Sequence, residues 1–79
     1  MISYDEAKKL ILDVYTSHVI DGSFRLPDGY LFLPVPKSLG KEEYILGGYV
    51  KVDFNGKLTE YSPVFNPEEF KQALDNRIE

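Results

Sequence analysis

A chain of 79 residues, with nine Lys plus Arg against thirteen Asp plus Glu, a formal net charge of −4 and no cysteine, has room for one hydrophobic core and not for two. Apolar residues make up 43% and aromatic residues 14%, which excludes a disordered segment, and the lack of cysteine removes disulfides, thiolate nucleophiles and thiolate metal sites. The basic residues are scattered, no apolar run is long enough to cross a bilayer, and the first ten residues lack the basic start and apolar middle of a secretory signal, so neither nucleic acid nor membrane is an expected partner and the cytoplasm is the expected location.

The opening predicts a helix. Ser3 is placed to cap it, Glu6 to reach back and complete a capping box, and Ile2 and Ala7 to form a hydrophobic staple. Ala7, Leu10, Ile11, Val14 and Tyr15 then recur at three- and four-residue spacing, a stripe that needs a sheet to cover. Thr16, Val19 and Ile20 are β-branched and Asp21-Gly22 follows, so the helix is expected to fray near Ser17 and the Asp-Gly pair to turn the chain. Residues 24–26 read as a short extended piece. In Pro27-Asp28-Gly29, which follows, Pro27 fixes φ and Gly29 relieves the strain of a turn. Residues 30–35 predict a strand whose end, at Pro34 and Pro36, stops or lies on an edge because proline lacks a ladder donor. Residues 37–43 are polar and read as an exposed crossing loop or one helical turn, a candidate contact surface.

The hairpin signal is Tyr49-Val50-Lys51-Val52-Asp53-Phe54, then Asn55-Gly56, then Lys57-Leu58-Thr59-Glu60-Tyr61. A two-residue turn would set Phe54 opposite Lys57, Val52 opposite Thr59 and Val50 opposite Tyr61 on the core face, with Lys51 across from Glu60 on the other. Gly47-Gly48 permits a bulge and lacks the spacing of a nucleotide-cradling loop. Asn66, Pro67 and Glu69 start a second helix, stapled by Phe65 on Phe70, that carries Phe70, Ala73 and Leu74 inward and ends near Arg77. The fold class is α+β, one domain over residues 1–79: an N-terminal helix packed on a small antiparallel sheet, with a short C-terminal helix. If buried, Tyr15 or Phe54 replaced by Ala would cost about 3 kcal/mol.

Chemistry is harder to place. His18 is the single histidine, and Asp13 and Asp21 flank it without a metal-ligand pattern, so its ordinary use is at a helix exit, where histidine interacts favourably with the dipole. The serines and threonines lack a positioned base and oxyanion donors, and Glu42-Glu43 and Glu68-Glu69 are sequence neighbours that point in different directions. Of the tyrosines, some close the core and one or two serve a partner surface, with Tyr44 the first interface candidate.

Ile2-Ser3-Tyr4-Asp5-Glu6-Ala7 at the first helix, Gly29-Tyr30-Leu31-Phe32 in an aromatic strand, Leu46-Gly47-Gly48 through Val52-Asp53 before the hairpin, and Pro67-Glu68-Glu69-Phe70 at the last helix together resemble the Immunity protein 35 family, small bacterial proteins associated with neutralising polymorphic toxins. The chain departs from that pattern in having no tryptophan, in Gly47-Gly48-Tyr49 and in its short Asn55-Gly56 turn. The resemblance implies an α+β fold and inhibition of a cognate toxin by direct binding, and it implies no catalytic residue.

The leading expectation is a non-enzymatic, cytoplasmic protein-binding module without cofactor or metal, whose acidic surface complements a basic partner such as a toxin. Glu42, Glu43 and Tyr44, with Lys51 and Glu60 on the hairpin, are its candidate contact residues. A second reading is an accessory module that forms a homo-oligomer or larger assembly through an open sheet edge or aromatic patch. A third is a small hydrolase using His18 with Asp13 or Asp21.

Overall fold

Ser3 starts the first helix as its sequence requires. In the computed structural model, which describes residues 1–37 and 48–79, its hydroxyl accepts from the Glu6 amide at 3.2 Å, and its own amide donates to the Glu6 carboxylate at 3.1 Å. Helix α1 runs Tyr4–Val14, shorter than expected. A turn at Thr16-Ser17 follows, and Val19 and Ile20 lie in strand β1, His18–Leu26, ahead of β2, Gly29–Pro36, β3, Tyr49–Asp53, β4, Leu58–Tyr61, and helix α2, Pro67–Leu74. The sheet is a four-stranded antiparallel meander in the order β1-β2-β3-β4.

Asp21-Gly22, expected as a turn, is instead a bulge inside β1, where the register shifts between Ile20 and Gly22. The turn lies further on, at Pro27-Asp28, between Leu26 and its partner Gly29. Gly29 is required here for space and not for φ, since a Cβ at this position would lie 2.4 Å from the Val52 carbonyl oxygen and 2.7 Å from the Asp53 Cα. Past Phe32, β2 pairs with β1 and, among the described residues, not with β3, so Pro34 and Pro36 lie where a missing donor costs least. Of the expected crossing loop, all but Lys37 lies outside the described residues, as does Gly47.

The hairpin between β3 and β4 corrects the expected register by one residue. Val52 faces Leu58, Lys51 faces Thr59, Val50 faces Glu60 and Tyr49 faces Tyr61. The cause is a longer turn: the Gly56 amide donates to the Asp53 carbonyl at 2.9 Å, Gly56 sits at φ +85, and the Asp53 amide donates to the Lys57 carbonyl at 3.0 Å, the pattern of a three-residue loop closed by a glycine bulge. The Asp53 carboxylate fastens it by accepting from the Asn55 amide at 2.9 Å and the Lys57 amide at 3.0 Å. These bonds hold its pKa below the ordinary 3.8.

Both faces of the sheet are covered. Ala7 and Ile11 of α1 pack on Tyr30, Phe32, Val50 and Val52, while Ala73 of α2 joins Phe24, Leu26, Leu31 and Tyr61. Because strand side chains alternate, Tyr30 and Leu31 serve different faces, and β2 is buried almost continuously. Tyr4 bridges its neighbours on the α1 face, stacking on Phe32 at 5.6 Å and meeting Tyr30 edge-on at 5.7 Å. Tyr49 and Phe70, 5.1 Å apart, close the other. Tyr15 and Phe54 are half-buried, and the residue that would cost about 3–5 kcal/mol on truncation to Ala is Phe32, which is wholly buried.

Helix α2 also differs from its expected form. It ends at Leu74, Leu74 is exposed, and Asn66 makes no side-chain cap. Phe65 is 85% exposed and staples nothing. Beyond the helix, residues 76–79 run along the outer side of β1, bridging Phe24 to Arg77.

Candidate functional site

Of the residues named from the sequence, the two described ones, Lys51 and Glu60, lie on opposite faces of the sheet. Glu42, Glu43 and Tyr44 lie outside the described residues. Lys51 stands on the α2 face and is tied down, its Nζ 2.7 Å from the Asp28 carboxylate, so it braces the β3–β4 hairpin against the β1–β2 turn. Glu60 is exposed on the opposite face, across from Val50. The expected Lys51–Glu60 pairing is therefore corrected by the one-residue register change, which sends neighbouring side chains to opposite sides.

Glu60 does lead into a feature where the sequence predicts a staple of Phe65 on Phe70. Between β4 and α2, Ser62 and Asn66 close a turn: the Asn66 side-chain amide donates to the Ser62 carbonyl at 3.0 Å, the Phe65 amide to the same carbonyl at 3.2 Å and the Asn66 amide to the Pro63 carbonyl at 3.3 Å. Pro63 and Pro67 restrict φ on either side. The turn holds Val64 and Phe65 out at 81% and 85% exposure. The signal available in the sequence was the pair of prolines bracketing two large apolar residues, which fixes the turn's shape. The staple pattern pointed the other way because Asn66, with its side chain on Ser62, does not adopt the capping geometry that a staple accompanies.

The base of this turn is anchored. The Tyr61 hydroxyl donates to Glu69 of α2 at 3.0 Å, and burial, then that bond, push its pKa up to about 12. Exposed Glu60 and Glu68 stand on either side of the apolar tip in sequence. Beside it, β4 is the last strand of the sheet, and among the described residues nothing pairs with its outer side. An exposed apolar pair held by hydrogen bonds and prolines, following a strand whose outer side is unpaired among the described residues, can enter a complementary pocket with little loss of conformational entropy.

His18 lies in a different setting. It lines an open groove of about 390 Å³ with Lys8, Leu12, Thr16, Val19, Ile20 and Lys37. The charged side chains there are lysines, and neither Asp13 nor Asp21 is among the lining residues. The imidazole meets Tyr15 edge-on at 5.1 Å, and its buried Nδ1 has no hydrogen-bond partner among the described residues. A second open groove, about 300 Å³, runs between α2 and the β1–β2 turn, lined by Arg25, Leu26, Pro27, Glu69, Gln72, Ala73 and Asn76. Among the described residues, no three His, Asp or Glu side chains converge to hold a metal ion, and no helix is long and apolar enough to cross a membrane.

Compared with family models, curated proteins and solved structures, the chain matches none.

Proposed function

We propose that this domain works by binding another protein, with the turn at Val64 and Phe65 as its apolar anchor and Glu60 and Glu68 as its charged surround. The observation that carries the reading is the exposure of two large apolar side chains on a turn held by three hydrogen bonds and two prolines. Isolated exposed hydrophobes are common, but a paired and rigid set beside an open strand edge costs solubility and calls for a reason. The net charge of −4 favours a partner with a basic rim around an apolar pocket. The finer reading, an immunity protein that inhibits a cognate bacterial toxin in the cytoplasm, takes its direction from the motif resemblance to the Immunity protein 35 family. The product of an adjoining gene with a toxic C-terminal region is the partner to titrate. Saturable binding that weakens in high salt and falls about tenfold or more in Phe65→Ser supports the proposal. Binding unaltered by Phe65→Ser overturns the assigned surface, and no binding to such a product overturns the immunity reading.

The outer side of β4, unpaired among the described residues, favours a second reading, assembly with further copies through that edge. Sedimentation across concentration separates the two, since a monomer at all concentrations removes the second.

A further inference from the structure

The segment after α2 occupies the outer side of β1 as a minimal extra strand. The Arg25 amide donates to the Asn76 carbonyl at 2.9 Å, the Ile78 amide to the Ser23 carbonyl at 2.8 Å, and Ser23 and Glu79 exchange longer bonds at 3.4 Å. Its side chains add a specific pattern. The Arg77 guanidinium lies 5.7 Å from the centre of the Phe24 ring, and the Arg77 Nε donates to the Glu79 carbonyl at 2.7 Å. The Glu79 carboxylate crosses to the α1 face, where Lys8 Nζ approaches it at 2.9 and 3.2 Å and the Tyr4 hydroxyl donates to it. The same Tyr4 hydroxyl is 2.8 Å from the hydroxyl of Ser23, which is fully buried.

The two sides of this contact differ sharply in burial. Ser23, Phe24 and Leu26 belong to the core, whereas every residue from 75 to 79 is exposed, Ile78 included at 39%. The segment is held by backbone bonds and polar contacts at the surface, with no buried apolar side chain of its own. Such a segment opens locally at a small fraction of the cost of global unfolding. When it opens, β1 presents unpaired backbone groups, the Phe24 ring, and the Lys8 and Tyr4 donors, a set suited to strand addition.

We propose that the outer edge of β1 at Ser23 to Arg25 is a docking site for an extended segment of a partner protein bearing a cation and, two residues later, a carboxylate, and that residues 76–79 are the built-in occupant which that segment displaces. The ligand chemistry follows from the occupant: the cation takes the place of Arg77 over Phe24, and the carboxylate that of Glu79 beside Lys8 and Tyr4. The inference deepens the protein-binding reading and rests on it, though it uses a different face from the Phe65 turn. Because the occupant is tethered, its effective concentration is in the millimolar range, and a competing peptide must reach that level unless the occupant is weakened.

The probe is the peptide acetyl-Asn-Arg-Ile-Glu-amide, titrated into the full chain and followed by amide chemical shifts. For the unaltered chain, shifts at Ser23 and Arg25 should appear at millimolar peptide, and for Glu79→Gln at a concentration lower by about fivefold or more. A peptide with Gln in place of its Glu should lose that gain. Hydrogen exchange of the unaltered chain should show the Arg25 and Ile78 amides opening at least about tenfold faster than the core amide of Val52. Equal exchange at Arg25 and Val52, or Ser23 and Arg25 amides that stay unshifted in both chains up to the solubility of the peptide, overturns the proposal. The exchange measurement decides it even where Glu79→Gln does not fold. Neither readout involves the Phe65 turn, so failure here leaves partner binding through that turn intact, and failure there leaves this edge intact.

Discussion

Gly29 is where the sheet comes closest to a steric limit, and Gly29→Ala makes that limit measurable. The added methyl would sit 2.4 Å from the Val52 carbonyl oxygen, 2.7 Å from the Asp53 Cα and 3.1 Å from the Val52 carbonyl carbon. All three atoms are backbone, so no side-chain rotation relieves the clash, and β3 must move by roughly 1 Å to restore ordinary contact of about 3.5 Å. That movement strains the Gly29–Asp53 and Tyr30–Val52 pairings and the 3.1 Å bond from the Phe54 amide to the Asp28 carbonyl. Overpacking of this kind costs about 1–3 kcal/mol, and a lost ladder bond adds about 1 kcal/mol. The expected loss is therefore about 2–4 kcal/mol, against a total of about 4–12 kcal/mol for a chain of this length. At about 4–8 °C per kcal/mol, Tm should fall by roughly 8–30 °C in a calorimetric or circular-dichroism melt. Gly48→Ala is the control, since a Cβ there meets nothing within 4 Å among the described residues, and its stability should stay within about 0.5 kcal/mol. A Gly29→Ala variant melting within about 3 °C of the parent would refute the close approach of β2 and β3.

Three further outcomes follow from the packing and the titrating groups. Phe32→Ala, at a wholly buried site between Tyr4 and the α1 stripe, should lose about 3–5 kcal/mol in denaturant unfolding, whereas half-buried Phe54→Ala should lose clearly less; equal losses would contradict the burial assigned to them. The hydroxyls of Tyr4 and Tyr61 are pushed from 10.0 to about 12, first by burial and then by their bonds to Glu79 and Glu69, so the stability they contribute is complete below pH 10 and is lost as pH rises from 10 toward 12. Melts across that window should show the decline, and Tyr61→Phe should flatten it. Phe65→Ala should leave stability within about 0.5 kcal/mol, because the side chain is 85% exposed; a large loss in a thermal melt would restore the staple on Phe70.

Local signals in the sequence were sufficient for several elements because their energies are settled within a few residues. Ser3 and Glu6 bond to each other whatever lies above them, Pro67 begins a helix by its own φ, and Asn55-Gly56 reverses the chain. The α+β class, with helices at both ends of an antiparallel sheet, was legible from those signs. The candidate site was much less so. Of the described residues named for it, Lys51 is engaged with Asp28 and Glu60 faces the other way, while Phe65, whose spacing predicts a staple on Phe70, is exposed.

What sequence alone determined, then, is where this chain starts its helices and where it reverses at Pro27-Asp28 and Asn55-Gly56, but not the extended path of residues 18–23, where Asp21-Gly22 bulges instead of turning. The tertiary structure decided how those segments share their apolar residues. The register shows the physical reason. Val50 opposite Tyr61 is the better arrangement for a sheet with one buried face, because it gathers the large side chains on one side. With α2 covering the second face, Tyr61 gains more beside Phe24, Leu31 and Ala73, and Leu58 replaces Thr59 under α1. The Asp53 bonds and the Gly56 bulge select that one-residue offset. The same long-range pairing lays residues 76–79 on β1, a contact between distant parts of the chain that no local pattern encodes.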